Sequence, residues 1–381
     1  MTEPAAVPAP PVSPLLQEHV RAGATLTDFA GWRMPLRFTG DLAEHHAVRQ
    51  GGGLFDLSHM AQIEVTGPAA AAGLDASVVS RVAALEVGRA RYTMLLAPDG
   101  GVLDDVIVYR LAADDFLVVA NAANRLTVLD ALTARCPGTG VAVTDRTTQR
   151  SLVALQGPVA ERVLGTLTDT DVTALRYYTI AAATVAGVPA LLARTGYTGE
   201  DGFEVSVPAS SAVSVWRALL EAGAAEGVIP CGLAARDSLR LEAGMPLYGH
   251  EIDATTTPFE AGLGRIVHLD PDREFVGRAA LERRRDEPGA RRLVGLAGEG
   301  RRAARAGYPV LDADGATVGT VTSGVLSPTL GHPVAMALVH DPAGALVPPS
   351  DDAPSSTVHV DVRGQALPMS VVALPFYRRP R

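Results

Sequence analysis

The chain has 381 residues, of which 47% are hydrophobic and 20% are charged, and its formal net charge is −9. These values are typical of a soluble protein of two or three domains, and the acidic balance disfavours nucleic acid as a partner because phosphate neutralisation needs a basic face. All 33 basic residues are arginines, so a pyridoxal-phosphate Schiff base, a P-loop and a protein kinase site, which each need a lysine, are excluded.

The start of the chain is rich in proline and alanine. Met1–Pro14 has no basic segment followed by an apolar one, so we expect a flexible tail over residues 1–13 rather than a signal peptide. No stretch is apolar enough to predict a membrane-spanning helix. Cys136 and Cys231 are too few for a disulfide framework or a four-cysteine zinc site. The sequence therefore predicts a cytoplasmic protein with no metal and no membrane partner.

Predicted helices and strands alternate through the first two thirds of the chain. Apolar spacing predicts helices over Pro68–Ser80, Ala122–Ala134, Pro158–Leu164 and Ser211–Glu226, and alternation predicts strands over Gly101–Leu111 and Phe203–Val207. No G-x-G-x-x-G follows a predicted strand, so a dinucleotide-binding fold has no support. We expect a mixed α and β domain over residues 14–279.

A charged segment, Ala280–Arg305, predicts a domain boundary with an exposed basic surface. Short strand-forming runs with turn residues between them follow: Arg292–Leu296, Pro309–Leu311, Thr317–Ser323, Ala335–Val339, Thr357–Val362 and Gln365–Val372. This spacing predicts a small all-β barrel or sandwich, which we assign to residues 280–381.

Two adjacent acids lie in the predicted strand Gly101–Leu111. Because successive side chains of a strand point to opposite faces, Asp105, Ile107 and Tyr109 share one face and Asp104 lies on the other. The two carboxylates therefore do not share a proton. An acid beside an aromatic and an aliphatic residue suits a flat, hydrogen-bonding ligand, but the pattern alone favours a plainer interpretation in which both acids cap a turn at the strand end.

Later segments carry further polar candidates. Glu204 follows a loop with three glycines, and by itself it is best interpreted as a solvated carboxylate. Gly232–Gly244 predicts a helix that ends at glycine and places Arg236 and Arg240 on one face, where acids of the same helix would pair with them on the surface. Neighbouring Ser58-His59 is not a catalytic pair, and the histidines lack the spacing of a metal site.

Several segments, taken in order, resemble the glycine cleavage T-protein family. They are Asp28-Phe29-Ala30-Gly31-Trp32, Phe55-Asp56-Leu57-Ser58-His59-Met60, Gly100-Gly101-Val102-Leu103-Asp104-Asp105, Leu155-Gln156-Gly157-Pro158, Gly196-Tyr197-Thr198-Gly199-Glu200-Asp201-Gly202, Ala234-Ala235-Arg236-Asp237-Ser238-Leu239-Arg240 and Thr322-Ser323-Gly324. The resemblance runs from about Pro14 to Tyr377. It implies an α+β fold, a three-lobed cloverleaf in which two mixed α/β lobes form a folate-binding domain and a small C-terminal β-barrel closes it.

The activity that the resemblance implies is that of a tetrahydrofolate-dependent aminomethyltransferase of the glycine cleavage system. Such an enzyme transfers a methylene unit from the aminomethyl-lipoyl group of a carrier, the H-protein, to tetrahydrofolate. Ammonia leaves and 5,10-methylenetetrahydrofolate forms, so the reaction belongs to glycine catabolism and one-carbon metabolism. Tetrahydrofolate is then a co-substrate, and neither a metal nor pyridoxal phosphate is expected.

The resemblance also implies roles for single residues. Asp105 matches the catalytic carboxylate that contacts N10 of tetrahydrofolate, Glu204 matches the carboxylate that receives pterin N–H donors, and Arg236 matches a second pterin-side ligand. The implied lining consists of Met60, Tyr92, Ile107, Tyr109, Tyr178 and Tyr197, with Tyr377 near the C-terminus as a further contact. Arg265 stands where the family often has tryptophan, so guanidinium stacking would replace ring stacking in that wall of the pocket.

Three alternatives remain at the level of sequence, and one of them, an interaction module with no ligand, is distinguished by whether tetrahydrofolate binds at all. A folate-dependent demethylase of a small methylated sulfur or nitrogen compound would share Asp105, Glu204 and Arg236 and would differ only in its carbon donor. The basic stretch Arg291–Arg305 favours an acidic carrier protein as the donor. A non-catalytic folate-binding protein of iron–sulfur assembly ranks lower, because relatives of that kind carry a K-G-C-Y-x-G-Q-E motif that this sequence lacks.

Overall fold

The computed structural model describes residues 11–136, 140–285, 291–341, 344, 346–349 and 355–380. Residues 1–10 of the expected tail lie outside this description. Ser13, the last residue of that tail, is buried, and its hydroxyl donates to the carboxylate of Asp56. His19 binds the same carboxylate at 2.7 Å. The chain is therefore attached to the body of the protein from Ser13 onward.

Short helices are distributed along the described chain. They are α1 (Leu16–Arg21), α2 (Asp41–Gln50), α3 (Ala70–Ser77), α4 (Arg125–Arg135), α5 (Ala160–Gly165), α6 (Ala212–Gly223), α7 (Leu233–Glu242) and α8 (Arg278–Arg285). The four helices predicted from apolar spacing correspond to α3, α4, α5 and α6, with ends that differ by a few residues. No helix among the described residues is long and apolar enough to cross a membrane.

Strands make up a hairpin, two mixed lobes and a barrel. They are β1 (Thr25–Phe29), β2 (Trp32–Arg37), β3 (Gly52–Asp56), β4 (Ala61–Thr66), β5 (Ala90–Leu96), β6 (Val102–Ala112), β7 (Asp115–Ala120), β8 (Ala142–Asp145), β9 (Arg150–Gln156), β10 (Ile180–Val185), β11 (Val188–Ala193), β12 (Gly202–Pro208), β13 (Val228–Cys231), β14 (Arg291–Gly298), β15 (Pro309–Leu311), β16 (Thr317–Leu326), β17 (Pro333–His340), β18 (Thr357–Asp361) and β19 (Ala366–Val372).

The strand order confirms the predicted α+β architecture with a C-terminal barrel. One sheet has the order β5-β6-β7-β4-β8, and the other has the order β10-β11-β12-β9-β3-β13. β14 to β19 form a closed barrel, in which β14 pairs with both β17 and β19. Each short strand run predicted after residue 291 corresponds to one barrel strand.

Strand β6 confirms the alternation predicted for it. Val106 and Val108 point into a core that α3 and α4 cover, where Leu74 is fully buried. Ile107 and Tyr109 belong to a second core on the opposite face of the sheet, which α7 covers. The pleat of β6 therefore directs one set of side chains into the core under α3 and α4 and the other set toward α7.

Helix α7 confirms the helix predicted over residues 232–244. Leu239 is fully buried in the core that faces Tyr109. Gly244 follows the helix end with a φ of +63°, the left-handed conformation that glycine adopts readily at this position. The helix thus presents one side to the sheet, which leaves its polar residues for the space between the sheet and the barrel.

Buried polar contacts join α7 to the barrel. Arg240 is 1% exposed, pairs with Glu251 at 2.9 Å and donates to Oγ of Ser323 in β16 at 2.8 Å. Glu242 is fully buried and bound to the loop that follows β16. Although Asp237 binds Arg240 at 2.7 Å, the surface pairing predicted for this helix is wrong, because the barrel covers the helix and encloses Arg240 and Glu242.

The basic segment 280–305 is partly neutralised by the body of the protein. Arg284 and Arg291 pair with Glu260 at 3.1 and 3.2 Å. Residues 286–290 lie outside the described residues. The predicted basic surface is nevertheless present farther along the segment, where three arginines are exposed: Arg301, Arg302 and Arg305.

Candidate active site

A cavity of about 940 Å³ lies where the two sheets, the β1–β2 hairpin, α7 and the barrel meet. Phe29 of β1, Tyr92 of β5, Arg236 of α7 and Val325 of β16 each form part of its wall. The wall is therefore assembled from segments that are far apart in the sequence, and it includes residues of both mixed sheets and of the barrel.

Most of the residues singled out in the sequence lie in this wall. The lining includes Met60, Tyr92, Asp105, Ile107, Tyr178, Tyr197, Glu204 and Arg236. Tyr109 lies behind the wall, and its hydroxyl donates to Glu204 at 3.3 Å. Tyr377 does not line the cavity; the guanidinium of Arg49 stacks on its ring, 4.0 Å from the ring centre. The structure thus brings these eight residues together in the wall, whereas Tyr109 lies behind it and Tyr377 lies outside it.

Asp105 has one hydrogen-bond donor on each carboxylate oxygen. The Tyr92 hydroxyl donates to Oδ2 at 3.0 Å, and Nδ2 of Asn121 donates to Oδ1 at 2.7 Å. Burial raises the pKa of Asp105 to about 6, against the two donors, which favour the ionised form. The carboxylate is therefore held in one orientation at the cavity wall, and its pKa is placed where it can both accept and return a proton near neutral pH.

Asp104 points to the other face of β6 and is fully buried. It accepts from the backbone N–H and side-chain amide of Asn121, at 3.0 and 2.9 Å, and from the amide of Asn124 at 2.7 Å. Burial, and then the charge of Asp105, raise its pKa to about 7. The turn-capping interpretation is thus wrong for both acids, because they lie inside β6 and Asp104 instead holds the segment that follows β7.

Glu204 is enclosed beneath the cavity. Its carboxylate is 8% exposed and accepts from Oγ1 of Thr195 at 2.6 Å and from the Tyr109 hydroxyl. The solvated-carboxylate interpretation is therefore wrong, because β12 pairs with β9 and β11 on both sides and places this residue in the interior. An ionised carboxylate has about four acceptor sites, so two internal donors leave capacity for a ligand.

Arg236 projects from α7 over the face of Tyr197, with its guanidinium carbon 4.6 Å from the ring centre. Burial lowers the pKa of Arg236, although Tyr197 and Glu204 favour the charged form. Stacking on an aromatic face leaves the N–H groups at the edge of the guanidinium available. Arg236 is consequently a cation of the cavity wall with N–H groups available to a ligand, whereas Arg240 is committed to Glu251 and the barrel.

Tyr178 occupies the wall with an uncommon backbone. Its φ is +62°, in the left-handed region that residues other than glycine seldom adopt. Its N–H donates to the oxygen of Arg194, and its own oxygen accepts from Ala90, each at 3.0 Å. Backbone bonds to two neighbouring segments thus hold the strained conformation in place, which directs the ring into the cavity.

Two wall residues had no role in the expectations from sequence. Asn121 bridges Asp104 and Asp105, and no local pattern marks it, because it follows β7 rather than β6. His59 lies in a segment that carries the family resemblance, but no role was expected for it, and the hydroxyl of its neighbour Ser58 bonds that of Ser151 at 2.8 Å. His59 is 1% exposed and lines the cavity.

The prediction for Arg265 is wrong: this residue is exposed in a turn after Leu263, and it is Leu263 that lines the cavity. In the part of the chain that the structure describes, no three His, Cys, Asp or Glu side chains are grouped so that they could hold a metal ion. The chemistry that this arrangement offers is positioning, hydrogen bonding and proton transfer.

Models of two protein domains match the chain. The GCVT N-terminal domain matches residues 15–271, and the glycine cleavage T-protein C-terminal barrel domain matches residues 291–378. The first match spans both mixed sheets and the hairpin, and the second spans the closed barrel. Both parts of the cavity wall therefore lie within matched segments.

Individual proteins are similar over nearly the whole length. The aminomethyltransferase of Streptomyces avermitilis is 55% identical over 95% of this chain and 96% of its own. That of Saccharopolyspora erythraea is 52% identical over 97% of this chain and 99% of its own. The crystal structure of glycine cleavage system aminomethyltransferase T from Bartonella henselae superposes with a TM-score of 0.88 at 38% identity, covering 97% of this chain and 99% of that one.

Proposed function

The chain belongs to the glycine cleavage T-protein family and is an aminomethyltransferase, and we propose that tetrahydrofolate enters its central cavity as the acceptor of the one-carbon unit. The observation that carries this proposal is the placement of Asp105 and Glu204 in the wall of one cavity of about 940 Å³. The two acids differ in their surroundings, so Glu204 can bind tetrahydrofolate while Asp105 accepts a proton from it.

The cavity has the size and the chemistry that a folate needs. Pockets for cofactor-sized ligands commonly measure about 300–1,000 Å³ and combine apolar walls with a few polar groups. Glu204 supplies a carboxylate that can receive two N–H donors of a flat pterin. Tyr178 and Tyr197 supply ring faces for stacking. We assign Met60, Tyr92 and Ile107 to the remaining apolar lining, and Tyr109 to the support of Glu204.

The proposed reaction moves one methylene carbon. That carbon loses its bonds to the carrier sulfur and to the amine nitrogen, and it gains bonds to N5 and N10 of tetrahydrofolate. The two protons displaced from these nitrogens end on the thiol and on ammonia. The protein aligns the acceptor nitrogens with the incoming carbon, which converts an encounter of two substrates into a reaction of one complex.

We assign the catalytic role to Asp105. Tyr92 and Asn121 fix its carboxylate from both sides, so it is oriented before the substrate arrives. With a pKa of about 6 it is mostly ionised at neutral pH, accepts the N10 proton and can pass it on. Its negative charge also stabilises the cationic carbon that develops as the amine departs.

We propose that the aminomethyl group arrives on a lipoylated H-protein. The arginines Arg301, Arg302 and Arg305 are exposed within one short segment, which we call the basic patch, and Arg305 is part of the cavity lining. A carrier with an acidic surface would be attracted to this patch, and the attraction should weaken as salt is added. A carrier held there would present its lipoyl arm at the opening of the cavity.

The organisation of the chain follows the same proposal. Residues 14–279 constitute the folate-binding domain in two lobes, and residues 280–381 constitute the barrel domain that closes the cavity. We propose a cytoplasmic location, where the folate pool and the carrier meet the enzyme, and no metal or pyridoxal phosphate. These assignments rest on the family and on the pocket chemistry given above.

The test is turnover with purified components. Protein, tetrahydrofolate and an aminomethyl-lipoylated carrier are mixed, and ammonia and methylenetetrahydrofolate are both measured. Equal release of the two products is the expected result. Binding of tetrahydrofolate without turnover would instead favour the demethylase of a small methylated compound, and no binding of tetrahydrofolate would reject both assignments.

A further inference from the structure

His59 is a cavity residue to which the proposed function gives no role. It lies in the turn after β3, where the Met60 N–H donates to the oxygen of Leu57 at 2.9 Å. The side chain is 1% exposed and lines the cavity. Phe29 packs against the imidazole edge to face, with ring centres 5.4 Å apart and an angle of 87°. The ring is therefore held in one plane at the wall.

The hydrogen-bonding capacity of this imidazole is unused by the protein. Nδ1 is fully enclosed and has no hydrogen-bond partner within the described residues. An enclosed N–H without an acceptor is rarer in proteins than an enclosed bare acceptor, so the tautomer with its hydrogen on Nε2 is favoured. Burial, helped by the Arg236 cation and opposed by Asp56, lowers the pKa of His59 to about 4. The ring is thus neutral at neutral pH and carries one N–H.

His59, Arg236 and Glu204 all line the same cavity. The charge of Arg236 contributes to the lowered pKa of His59, and Glu204 favours the charged form of Arg236. The wall therefore offers an acceptor at Glu204 and donors at Arg236 and His59. A pterin carries the complementary groups, because its 2-amino group and N3–H are donors and the neighbouring C4 carbonyl is an acceptor.

Building on the proposed binding of tetrahydrofolate, we propose that His59 donates its Nε2–H to the C4 carbonyl oxygen of the pterin and so selects a 4-oxo ring over a 4-amino ring. An amino group at C4 would place a donor against the donors of His59 and Arg236. A buried donor that faces another donor loses its hydrogen bond without regaining its hydration, so the site disfavours such a ring. His59 is then a specificity residue for the ring.

The experiment measures dissociation constants of two ligands, tetrahydrofolate and its 4-amino analogue, by calorimetry under anaerobic conditions. The wild type should bind the 4-oxo ligand at least about tenfold more tightly. His59→Leu should weaken the 4-oxo ligand by about tenfold and change the 4-amino ligand by less than about twofold. His59→Gln, which keeps a side-chain N–H, should recover part of the 4-oxo affinity. Met60→Leu, a change of similar size beside it, should affect both ligands alike.

Each outcome is decisive. A His59→Leu variant that weakens both ligands equally would assign His59 to packing and overturn the inference, as would a variant that binds both like the wild type. Either result would leave the folate proposal intact, because the wild type would still bind tetrahydrofolate. A wild type that fails to bind tetrahydrofolate would reject the proposed occupant and this inference with it.

Discussion

The hydroxyl of Tyr92 donates to Oδ2 of Asp105 at 3.0 Å across two paired strands. β5 and β6 are neighbours in the sheet, so this contact is set by strand register rather than by a mobile loop. Tyr92 therefore has two functions in one side chain, since its ring forms cavity wall and its hydroxyl tunes the carboxylate that we assign to catalysis.

Replacement of Asp105 tests that assignment directly. Asp105→Asn keeps the size of the side chain and removes the proton acceptor, so we expect a loss in kcat of about 10²–10⁴-fold with tetrahydrofolate still bound. Asp114→Asn, at an exposed turn beside the same sheet, serves as the control and should keep full activity. A kcat for Asp105→Asn within threefold of the wild type would remove Asp105 from the mechanism.

The pH dependence of turnover should report the same carboxylate. The ionised form of Asp105 is the active base, so kcat/KM of the wild type should rise with pH through about 6. This rise is the acidic limb of the pH profile. Tyr92→Phe removes a donor that stabilises the ionised form, which raises the pKa of Asp105 and moves this limb upward by about one pH unit. Tyr109→Phe, whose hydroxyl contacts Glu204, should leave the limb where it is. A limb that stays at about 6 in Tyr92→Phe would contradict the tuning role.

Asn121 and Asn124 form a matched pair for testing orientation. Asn121 bonds both Asp104 and Asp105, whereas Asn124 bonds Asp104 alone. Asn121→Ala frees the carboxylate of Asp105 to rotate, so kcat should fall by about 10–100-fold with little change in the KM for tetrahydrofolate. Asn124→Ala should lower kcat by less than about threefold. Equal losses in the two variants would show that both act through stability of the fold.

Glu242 should make stability depend on pH. Burial opposes its ionisation, but bonds from His45, Ser327 and Arg49 outweigh burial and lower its pKa to about 2 from an ordinary 4.5. A lowered carboxyl pKa stabilises the folded state above the unfolded pKa, and this stability disappears as pH falls through the folded pKa. Between pH 4.5 and 2, urea unfolding of the wild type should therefore lose on the order of 3 kcal/mol that Glu242→Gln lacks. The exposed Glu221→Gln should retain the wild-type pH slope.

Local pattern was sufficient for one part of the site. The alternation of a strand is a property of the strand itself, so Asp105, Ile107 and Tyr109 could be placed on one face before the sheet was known. The same logic failed for Glu204, where alternation gave the direction of the side chain but not what covers it. Burial of that residue depends on β9 and β11, which no local window contains.

The remaining errors have the same physical origin. Asn121 reaches Asp105 because β6 and β7 pair with Ile107 opposite Val119, a register that the sequence does not state. Tyr377 returns to the body, and its N–H donates to the oxygen of Glu242 at 2.8 Å, yet Arg49 covers its ring. Such contacts between distant segments depend on how the complete chain packs, so local sequence patterns do not predict them.

The barrel's share of the cavity wall has a consequence for synthesis of the protein. Residues 324–326 and 328 complete the wall, and the barrel that positions them closes only when β19, the last strand, pairs with β14. A chain that ends before β19 contains Asp105 and Glu204 but lacks the strand that closes the barrel. Only a product of translation that includes β19 can therefore form the complete cavity wall.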